Sequence, residues 1–149
     1  MSTMTRKEAF KLVEEDGFQL EDVSEEFKKD KEIVLTAIRT INKSHADSGS
    51  ILELADDSLK KDKEVVLAAV QNFGHNLEYA DKSFRKDREV VLAAIKNYGR
   101  ALNYADDSLK KDKEIVLAAV QNDVYALQYA DESLKNDSDI MKMYSKNIK

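Results

Sequence analysis

The residues of this chain whose types could do chemistry are acidic pairs and two histidines. Asp56-Asp57 and Asp106-Asp107 carry the carboxylates that a cation site or a general acid–base pair needs. Neither belongs to a calcium-loop series, and near-identical pairs recur along the chain, so turn formation and helix capping explain them better. His45, beside Asp47, and His75 stand singly, without ligand spacing. We therefore expect no catalytic residues, no metal site and no cofactor.

Composition narrows the chemistry further. The chain of 149 residues has no cysteine, which excludes disulfides, thiolate zinc sites and cysteine nucleophiles. Its formal net charge of −5 means that the molecule as a whole does not attract phosphate or an anionic membrane. No apolar run approaches the ~20 residues that span a bilayer, and the N-terminus does not resemble a signal peptide. We expect a soluble protein, no membrane partner, and the cytoplasm as the default location.

Basic residues recur in pairs just before each Asp-Lys-Glu or Asp-Arg-Glu segment. They would follow one edge of a repeated structure, where they could bind the phosphates of a nucleic acid or an acidic protein. Interleaved Asp and Glu support the opposite interpretation, a solvated edge whose charges cancel. The residues of this possible polyanion site are Lys60, Lys61, Arg85, Lys86, Lys110 and Lys111.

The elements that position all these residues are repeated. The segment that starts at Ala55 returns almost unchanged from Ala80 and again from Ala105, a period of 25 residues, and a degraded copy starts at Ala130. Repetition at a fixed short period predicts a stack of like units, each of which buries its apolar face on its neighbours.

The repeat extends upstream and defines the domain organisation. We predict one repeat domain over 1–149, with a half repeat at 5–22 and repeats from about 23, 55, 80 and 105. An insertion at 42–48 interrupts the spacing. The last segment, 130–149, is a partial repeat in which Lys142-Met143-Tyr144-Ser145 replaces apolar residues, as expected of a capping unit with a polar outer face.

Each unit reads as a helix, a turn, a short helix and a further turn. The VVLAAV segment, residues 65–70, is β-branched and could be a buried strand, but its paired alanines favour a helix. Asp62 is placed as an N-cap, and Gly74 and Gly99 are placed as left-handed C-caps. The predicted fold class is all-α: a right-handed α-solenoid of tandem 25-residue helix–turn–short-helix repeats.

The copies differ most from one another where the long helix ends and the next turn begins. A stacked architecture does not require this variation, so it marks either a recognition surface or drift at a tolerant one. Exposed aromatic side chains at Phe73, Tyr98 and Tyr125 would be the anchors that interfaces use. The candidate partner-binding residues are Phe73, His75, Glu78, Tyr98, Arg100, Asn103, Tyr125 and Gln128.

The repeat resembles a known family. Leu77-Glu78-Tyr79-Ala80-Asp81, then Asp87-Arg88-Glu89-Val90-Val91-Leu92-Ala93-Ala94-Ile95 and Gly99 are similar to the repeat called domain of unknown function 4116, and the resemblance covers about 18–137. It implies a helical repeat found largely in microbial proteins, with no agreed activity and no catalytic residues to carry over. The insertion around His45 departs from the pattern.

These observations favour a non-enzymatic α-solenoid whose partner is another protein or a peptide, bound on one long face. The alternative is a nucleic-acid or polyanion binder that uses the basic residues along the edge. The two differ in salt dependence, because binding of phosphates weakens steeply as salt is added.

Overall fold

The computed structural model describes residues 3–41 and 50–148, and every regular element in these ranges is helical. The insertion predicted at 42–48, with His45 and Asp47, lies outside the described residues. The α-helices are α1 Arg6–Glu15, α2 Lys31–Thr40, α3 Ile51–Leu54, α4 Lys63–Asn72, α5 Arg88–Asn97, α6 Asp107–Lys110, α7 Lys113–Asn122 and α8 Ser138–Asn147. All except α3 and α6, which have 4 residues each, are 10 residues long.

Each long helix begins at a capping side chain. In α4, Asp62 Oδ1 accepts hydrogen bonds from the backbone N–H groups of Glu64 and Val65, at 3.0 and 3.2 Å. These N–H groups have no partner inside the helix, so the cap defines where the helix starts. Thr5 and Glu8 form a capping box at α1. The other caps are Asp30, Asp87, Asp112 and Asp137. The predicted helix starts are confirmed, and VVLAAV is helical.

The ends of the long helices differ from the prediction. The described glycines have no positive φ, so Gly74 and Gly99 are not left-handed C-caps. Instead, Phe73 follows α4 in an extended conformation and Gly74 begins a 3-10 helix. A Cβ on Gly74 would lie 2.2 Å from the carbonyl oxygen of Ala94 in the next unit. The prediction was wrong because these glycines permit a close approach between units rather than a reversal of the chain.

A 3-10 helix follows most of the long helices, and a turn leads on to the next cap. The 3-10 helices are Gly17–Asp22, Gly74–Tyr79, Gly99–Tyr104 and Val124–Tyr129, and α3 takes the equivalent place before α4. The turns start at aspartates, as predicted: Asp81 accepts hydrogen bonds from the backbone N–H and the hydroxyl of Ser83, at 3.1 and 2.7 Å. The one-turn helices in these turns are Leu59–Lys61, Lys82–Lys86, α6 and Glu132–Leu134.

The units stack in sequence order. Among the long helices, α4 packs between α2 and α5, and α7 packs between α5 and α8. The 3-10 helices form a second row, in which Gly74–Tyr79 contacts α3 and Gly99–Tyr104. The turns are joined as well, since the backbone N–H of Asp81 donates to the carbonyl of Lys60 at 3.0 Å. The fold is therefore an all-helical tandem repeat.

The core runs through the stack without interruption. In α4 the buried residues are Val65, Val66, Ala69 and Val70, and the equivalent residues of α5 and α7 are buried too. Leu77 and Leu102 of the 3-10 helices are fully buried beside them. Each unit thus completes the apolar environment of its neighbours, which is how a short repeat obtains a core.

Asparagines at the ends of the long helices hold neighbouring units in register. Asn97 Oδ1 accepts a hydrogen bond from the N–H of Gly74 at 2.5 Å, and its Nδ2 donates to the carbonyl of Asn72 at 3.1 Å. Asn122 makes the same pair of bonds one unit later, to Gly99 and Lys96. These bonds fix the point where each long helix gives way to a 3-10 helix, and the variable residues lie at that point.

Candidate functional site

The structure brings three pairs of variable residues into one line. In three successive units, one of these residues precedes the first residue of the 3-10 helix and the other follows it; those first residues are Gly74, Gly99 and Val124. We call this line the variable strip; its residues are Phe73, His75, Tyr98, Arg100, Asp123 and Tyr125.

Contacts join the strip across unit boundaries. The His75 ring lies 5.9 Å from the Phe73 ring and 6.4 Å, edge-on, from the Tyr98 ring of the next unit. Arg100 Nε donates to Asp123 Oδ2 at 2.6 Å, and the Arg100 guanidinium lies 5.1 Å from the centre of the Tyr125 ring. Stacking of a cation on an aromatic face is favourable and orients both groups. The strip is therefore a continuous surface with an ordered set of side chains.

The aromatic residues of the strip differ in exposure. Tyr125 is 63% exposed and Tyr98 is 38% exposed, so these two side chains are accessible at the surface. Phe73 is only 9% exposed and belongs to the core, so the prediction that it is an exposed anchor was wrong. Its extended backbone between α4 and the 3-10 helix is followed by the close contact at Gly74, and the ring packs with the core.

A second variable position is buried as well. Asn76, Ala101 and Ala126 differ between copies, yet each is at most 1% exposed. Asn76 Oδ1 accepts from the N–H of Leu52 at 3.1 Å, and Nδ2 donates to the carbonyls of Ala69 and Phe73. Asn76 stands where the other copies have alanine, and the short helix beside it is the four-residue α3 instead of a 3-10 helix. Packing between units therefore accounts for the variation at this position, which does not mark a recognition surface.

The remaining candidates lie at the far end of the 3-10 helices. Glu78, Asn103 and Gln128 are exposed. Gln128 Nε2 donates to the carbonyl of Tyr125 at 3.0 Å, which links it to the strip. Burial, together with a hydrogen bond to Glu78, raises the pKa of Tyr104, whose ring is half-buried. The tyrosines at this position, Tyr79, Tyr104 and Tyr129, are packed against the core.

His75 is the titratable group at the centre of the strip. Its partial burial between two aromatic rings lowers its pKa below 6.5, because the charged form loses hydration there. The charge of Glu78 acts in the opposite direction and is the smaller effect. His75 is therefore a neutral, partly apolar contact surface at pH 7.

The strip ends in an apolar groove at the last unit. In earlier units a glycine packs against an alanine of the next long helix, whereas Val124 and Tyr144 occupy these positions here. Leu127 is half-buried, although its counterparts Leu77 and Leu102 are fully buried. The groove has a volume of about 510 Å³ and is lined by Val124, Tyr125, Leu127, Gln128, Lys135, Met141 and Tyr144.

Sequence reasoning missed Met141 and Tyr144 as functional candidates. The signal was present, because the last copy departs from the Ala-Ala consensus at Tyr144. It was interpreted as a polar cap. A bulky residue at a position of close approach also separates two helices, and the groove results from that separation.

The candidate polyanion residues are largely engaged by other groups. Lys60 pairs with Asp57 at 3.1 Å and Lys110 lies 3.9 Å from Asp107, while Arg85 donates to the carbonyl of Glu78 at 2.5 Å. The remaining three, Lys61, Lys86 and Lys111, are exposed and make no ion pair within the described residues. Two of the six basic residues, Lys60 and Lys110, thus have an acid of their own turn as partner, which weakens any uniform attraction along the edge.

Another set of cations forms an ion-pair ladder between units. Lys63 Nζ lies 2.9 Å from both Asp87 Oδ2 and Glu89 Oε2 of the next unit. The same arrangement recurs with Arg6, Lys31, Arg88 and Lys113 as the cation. These side chains, which the sequence places beside the basic pairs, are neutralised by acids and hold neighbouring helices together.

The described part of the chain holds no group of three or more His, Asp or Glu side chains that could bind a metal ion. Within the same residues, no helix has the length and apolarity to cross a membrane.

Comparison with protein families identifies the repeat. The model described as Domain of unknown function (DUF4116) matches residues 6–44, 41–85, 62–110, 87–135 and 112–147, overlapping segments that tile the chain. The chain therefore belongs to this family of helical repeats. Neither the curated proteins nor the solved structures compared with it give a match.

Proposed function

We propose that this protein is a non-enzymatic repeat scaffold that binds an extended segment of another protein along the variable strip. The supporting observation is that residues which differ between copies contact one another across unit boundaries, His75 with Tyr98 and Arg100 with Asp123 and Tyr125. That surface offers two exposed tyrosines and a stacked arginine, the residue types that dominate protein interfaces. The groove at its end would accept an apolar side chain of the same segment.

The proposal includes the finer architecture. Long helices begin at Lys63, Arg88, Lys113 and Ser138, 25 residues apart, and side-chain bonds join residues 23 to 26 positions apart. These regularities support a 25-residue unit, and we propose that the units wind into a right-handed superhelix. Such a superhelix would give the strip a constant rise and rotation per unit and thus suit an extended ligand. A crystal structure of the protein would test the unit and the handedness.

A selection from displayed random peptides tests the binding function. Peptides are selected on the immobilised protein at about 150 mM salt, and their affinities are measured by calorimetry. We expect saturable binders that the Tyr98→Ala/Tyr125→Ala variant weakens by about tenfold or more, because anchors of this kind dominate interface energy.

The matched control is Lys61→Ala/Lys86→Ala, which changes two exposed residues of the edge and leaves the strip intact. It should bind the selected peptides as the unchanged protein does. Absence of saturable binders, or binders indifferent to the tyrosine variant, would overturn the proposal. The polyanion alternative predicts the reverse pattern: oligonucleotide binding that the lysine variant removes and that falls steeply with salt.

A further inference from the structure

One turn of the stack differs from its neighbours in charge. In most of the described turns an acid three residues before the first basic residue pairs with it: Lys28 with Glu25 at 2.8 Å, Lys60 with Asp57 at 3.1 Å, and Lys135 with Glu132 at 2.7 Å. In the turn 80–86 that acid is replaced by Lys82. Lys82, Arg85 and Lys86 therefore lie together without the acid that pairs with the first basic residue of those turns.

These three cations line one wall of a surface pocket of about 450 Å³. The opposite wall comes from the following unit, and its residues are Asn103, Tyr104, Ala105, Asp106 and Asp107. Both carboxylates have partners: the hydroxyl of Ser108 and, as a smaller effect, the charge of Lys86 lower the pKa of Asp106. Asp106 accepts from the backbone N–H and the hydroxyl of Ser108, at 3.0 and 2.6 Å, and Asp107 is directed toward Lys110, 3.9 Å away.

Arg85 contributes a guanidinium group to the lining of this pocket. Its Nη2 donates to the carbonyl of Glu78, while the buried Nε has no hydrogen-bond partner. A buried donor without an acceptor is unfavourable and rare in folded proteins. Guanidinium groups have a fork of donors that matches the oxygens of phosphate, and two flexible ammonium groups flank this one.

The repeat supplies an internal comparison. An equivalent pocket of about 350 Å³ lies one unit later, lined by Asp107, Lys110, Lys111, Tyr129, Ala130, Asp131 and Glu132. It has the same construction, but two cations there face three carboxylates, whereas three cations face two carboxylates in the first pocket. The difference in charge comes from one position, where Lys82 of the first pocket corresponds to Asp107 of the second; on the far walls, Asp107 and Glu132 are both acidic.

We propose that the pocket of Lys82, Arg85 and Lys86 binds a phosphate-type oxyanion, either free inorganic phosphate or the phosphate group of a phosphorylated side chain. It is one local site, distinct from the variable strip and from a uniform basic edge. The lysine at position 82 creates this site. The equivalent pocket one unit later, where Asp107 takes the place of Lys82, lacks it.

Amide chemical shifts test the site directly. The full chain, labelled with ¹⁵N, is titrated with inorganic phosphate, and sodium chloride at matched ionic strength is the reference. We expect saturable shifts confined to the turn 80–86 and to Asn103–Asp106. Lys82→Asp restores the acid of the other turns and should weaken binding by about tenfold or more, because it replaces an attraction by a repulsion. A peptide that contains phosphoserine, tested beside its unphosphorylated form, distinguishes the two sources of phosphate.

Asp107→Lys provides the converse test, since the Asp107 side chain is 92% exposed and its replacement leaves the core unchanged. We expect new phosphate-dependent shifts around Lys110 and Asp131. Shifts that do not saturate, that chloride reproduces, or that persist in Lys82→Asp would overturn the proposal. The proposal would also be overturned if a single-stranded oligonucleotide bound along several units and the Lys82→Asp variant bound it as tightly as the unchanged protein. Failure of the peptide selection would leave the phosphate result unchanged, so the two proposals fail separately.

Discussion

At the scale of single residues, the spacing between units is set by glycine. A Cβ on Gly74 would lie 2.2 Å from the carbonyl oxygen of Ala94, and one on Gly99 would lie 2.6 Å from that of Ala119. The opposing atoms are backbone, which cannot rotate away as a side chain would. Addition of a methyl group must therefore move a whole helix relative to its neighbour.

Gly74→Ala should destabilise the protein by about 1–3 kcal/mol, the usual cost of overpacking a well-packed contact. Gly99→Ala should cost less, because the corresponding distance is longer. Urea unfolding followed by circular dichroism measures both free energies of unfolding. Val124 occupies the same position in the next unit, so Val124→Ala is the matched control, with an expected change of about 1 kcal/mol or less. Equal stability of Gly74→Ala and the unchanged protein would show that the units are not held at this distance.

His75 provides a second prediction at this scale. Because burial lowers its pKa below 6.5, folding disfavours its protonation, and its contribution to stability declines as the pH falls below about 6.5. A titration of the His75 ring followed by NMR should give a lower midpoint in the folded protein than in a short peptide of the same sequence. Tyr98→Ala opens one side of the histidine and should raise the midpoint toward the peptide value. A folded midpoint at or above the peptide value would contradict the burial between Phe73 and Tyr98.

At the scale of elements, each aspartate at a helix start serves two purposes. Asp87 Oδ1 caps α5 through the N–H groups of Glu89 and Val90, and Oδ2 pairs with Lys63 of the preceding unit. The hydrogen bond from Lys63 is the main cause that lowers the pKa of Asp87. The helix start and the contact between units therefore depend on one carboxylate.

Two substitutions separate these purposes. Asp87→Ala removes the cap and the ion pair, and should cost about 1–2 kcal/mol of unfolding free energy. Asp87→Asn keeps an oxygen that can cap the helix and removes only the charge, so its cost should stay below about 1 kcal/mol, as for exposed ion pairs. Thermal and urea unfolding give both values. If the asparagine variant loses as much stability as the alanine variant, the ion pair and not the cap dominates.

The elements also show what the sequence could reveal. Helix starts were predictable because a cap is a local bond: Asp62 and the N–H groups of Glu64 and Val65 lie within one turn. The meaning of Gly74 was not predictable, because the atom that excludes a side chain belongs to Ala94 in the next unit. The strip was identified by variation between copies, but variation could not distinguish exposed Tyr125 from buried Phe73. The groove likewise depends on the separation of two helices.

At the scale of the whole molecule, acidic groups with lowered pKa recur along the stack. The largest cause for Asp30, Asp87 and Asp137 is the hydrogen bond from the cation of the preceding unit, and for Asp56, Asp81, Asp106 and Asp131 it is the hydrogen bond from a serine hydroxyl. Each group titrates near pH 4 in the unfolded chain and lower in the folded one. Folding therefore releases protons in this range.

Stability should accordingly be full above about pH 4 and decrease as the pH falls through the lowered pKa values of the folded state. The urea midpoint, measured from pH 7 to pH 3, should be nearly constant down to about pH 4 and then decline. In Ser83→Ala/Ser108→Ala, which removes two of the hydroxyl donors, the decline should be less steep because the pKa values of Asp81 and Asp106 return toward normal. A constant midpoint down to pH 3 would contradict the role of these carboxylates in the folded state.

Stacking of units also implies a gradient of local stability. Each unit is stabilised mainly by its contacts with its neighbours, so a helix packed on both sides should open less often than one packed on a single side. α4 lies between α2 and α5 and buries Val65, Val66, Ala69 and Val70, whereas α8 packs on α7 and buries Ile140.

Native-state hydrogen exchange, measured amide by amide with NMR, should therefore show the fastest exchange in α8 and the slowest in α4 and α5. Tyr144→Ala would restore the small residue that earlier units have opposite the 3-10 helix, and it should slow exchange in α8 if the separation at Val124 causes the weak packing of that helix. Identical exchange free energies in all the long helices would instead show that the stack unfolds as one cooperative unit.

In that case the groove beside α8 would be as rigid as the core, and an apolar ligand would enter a preformed site. With the expected gradient, a ligand that fills the groove should slow exchange in α8 by the mass-action factor of its binding, and it should leave α4 nearly unchanged.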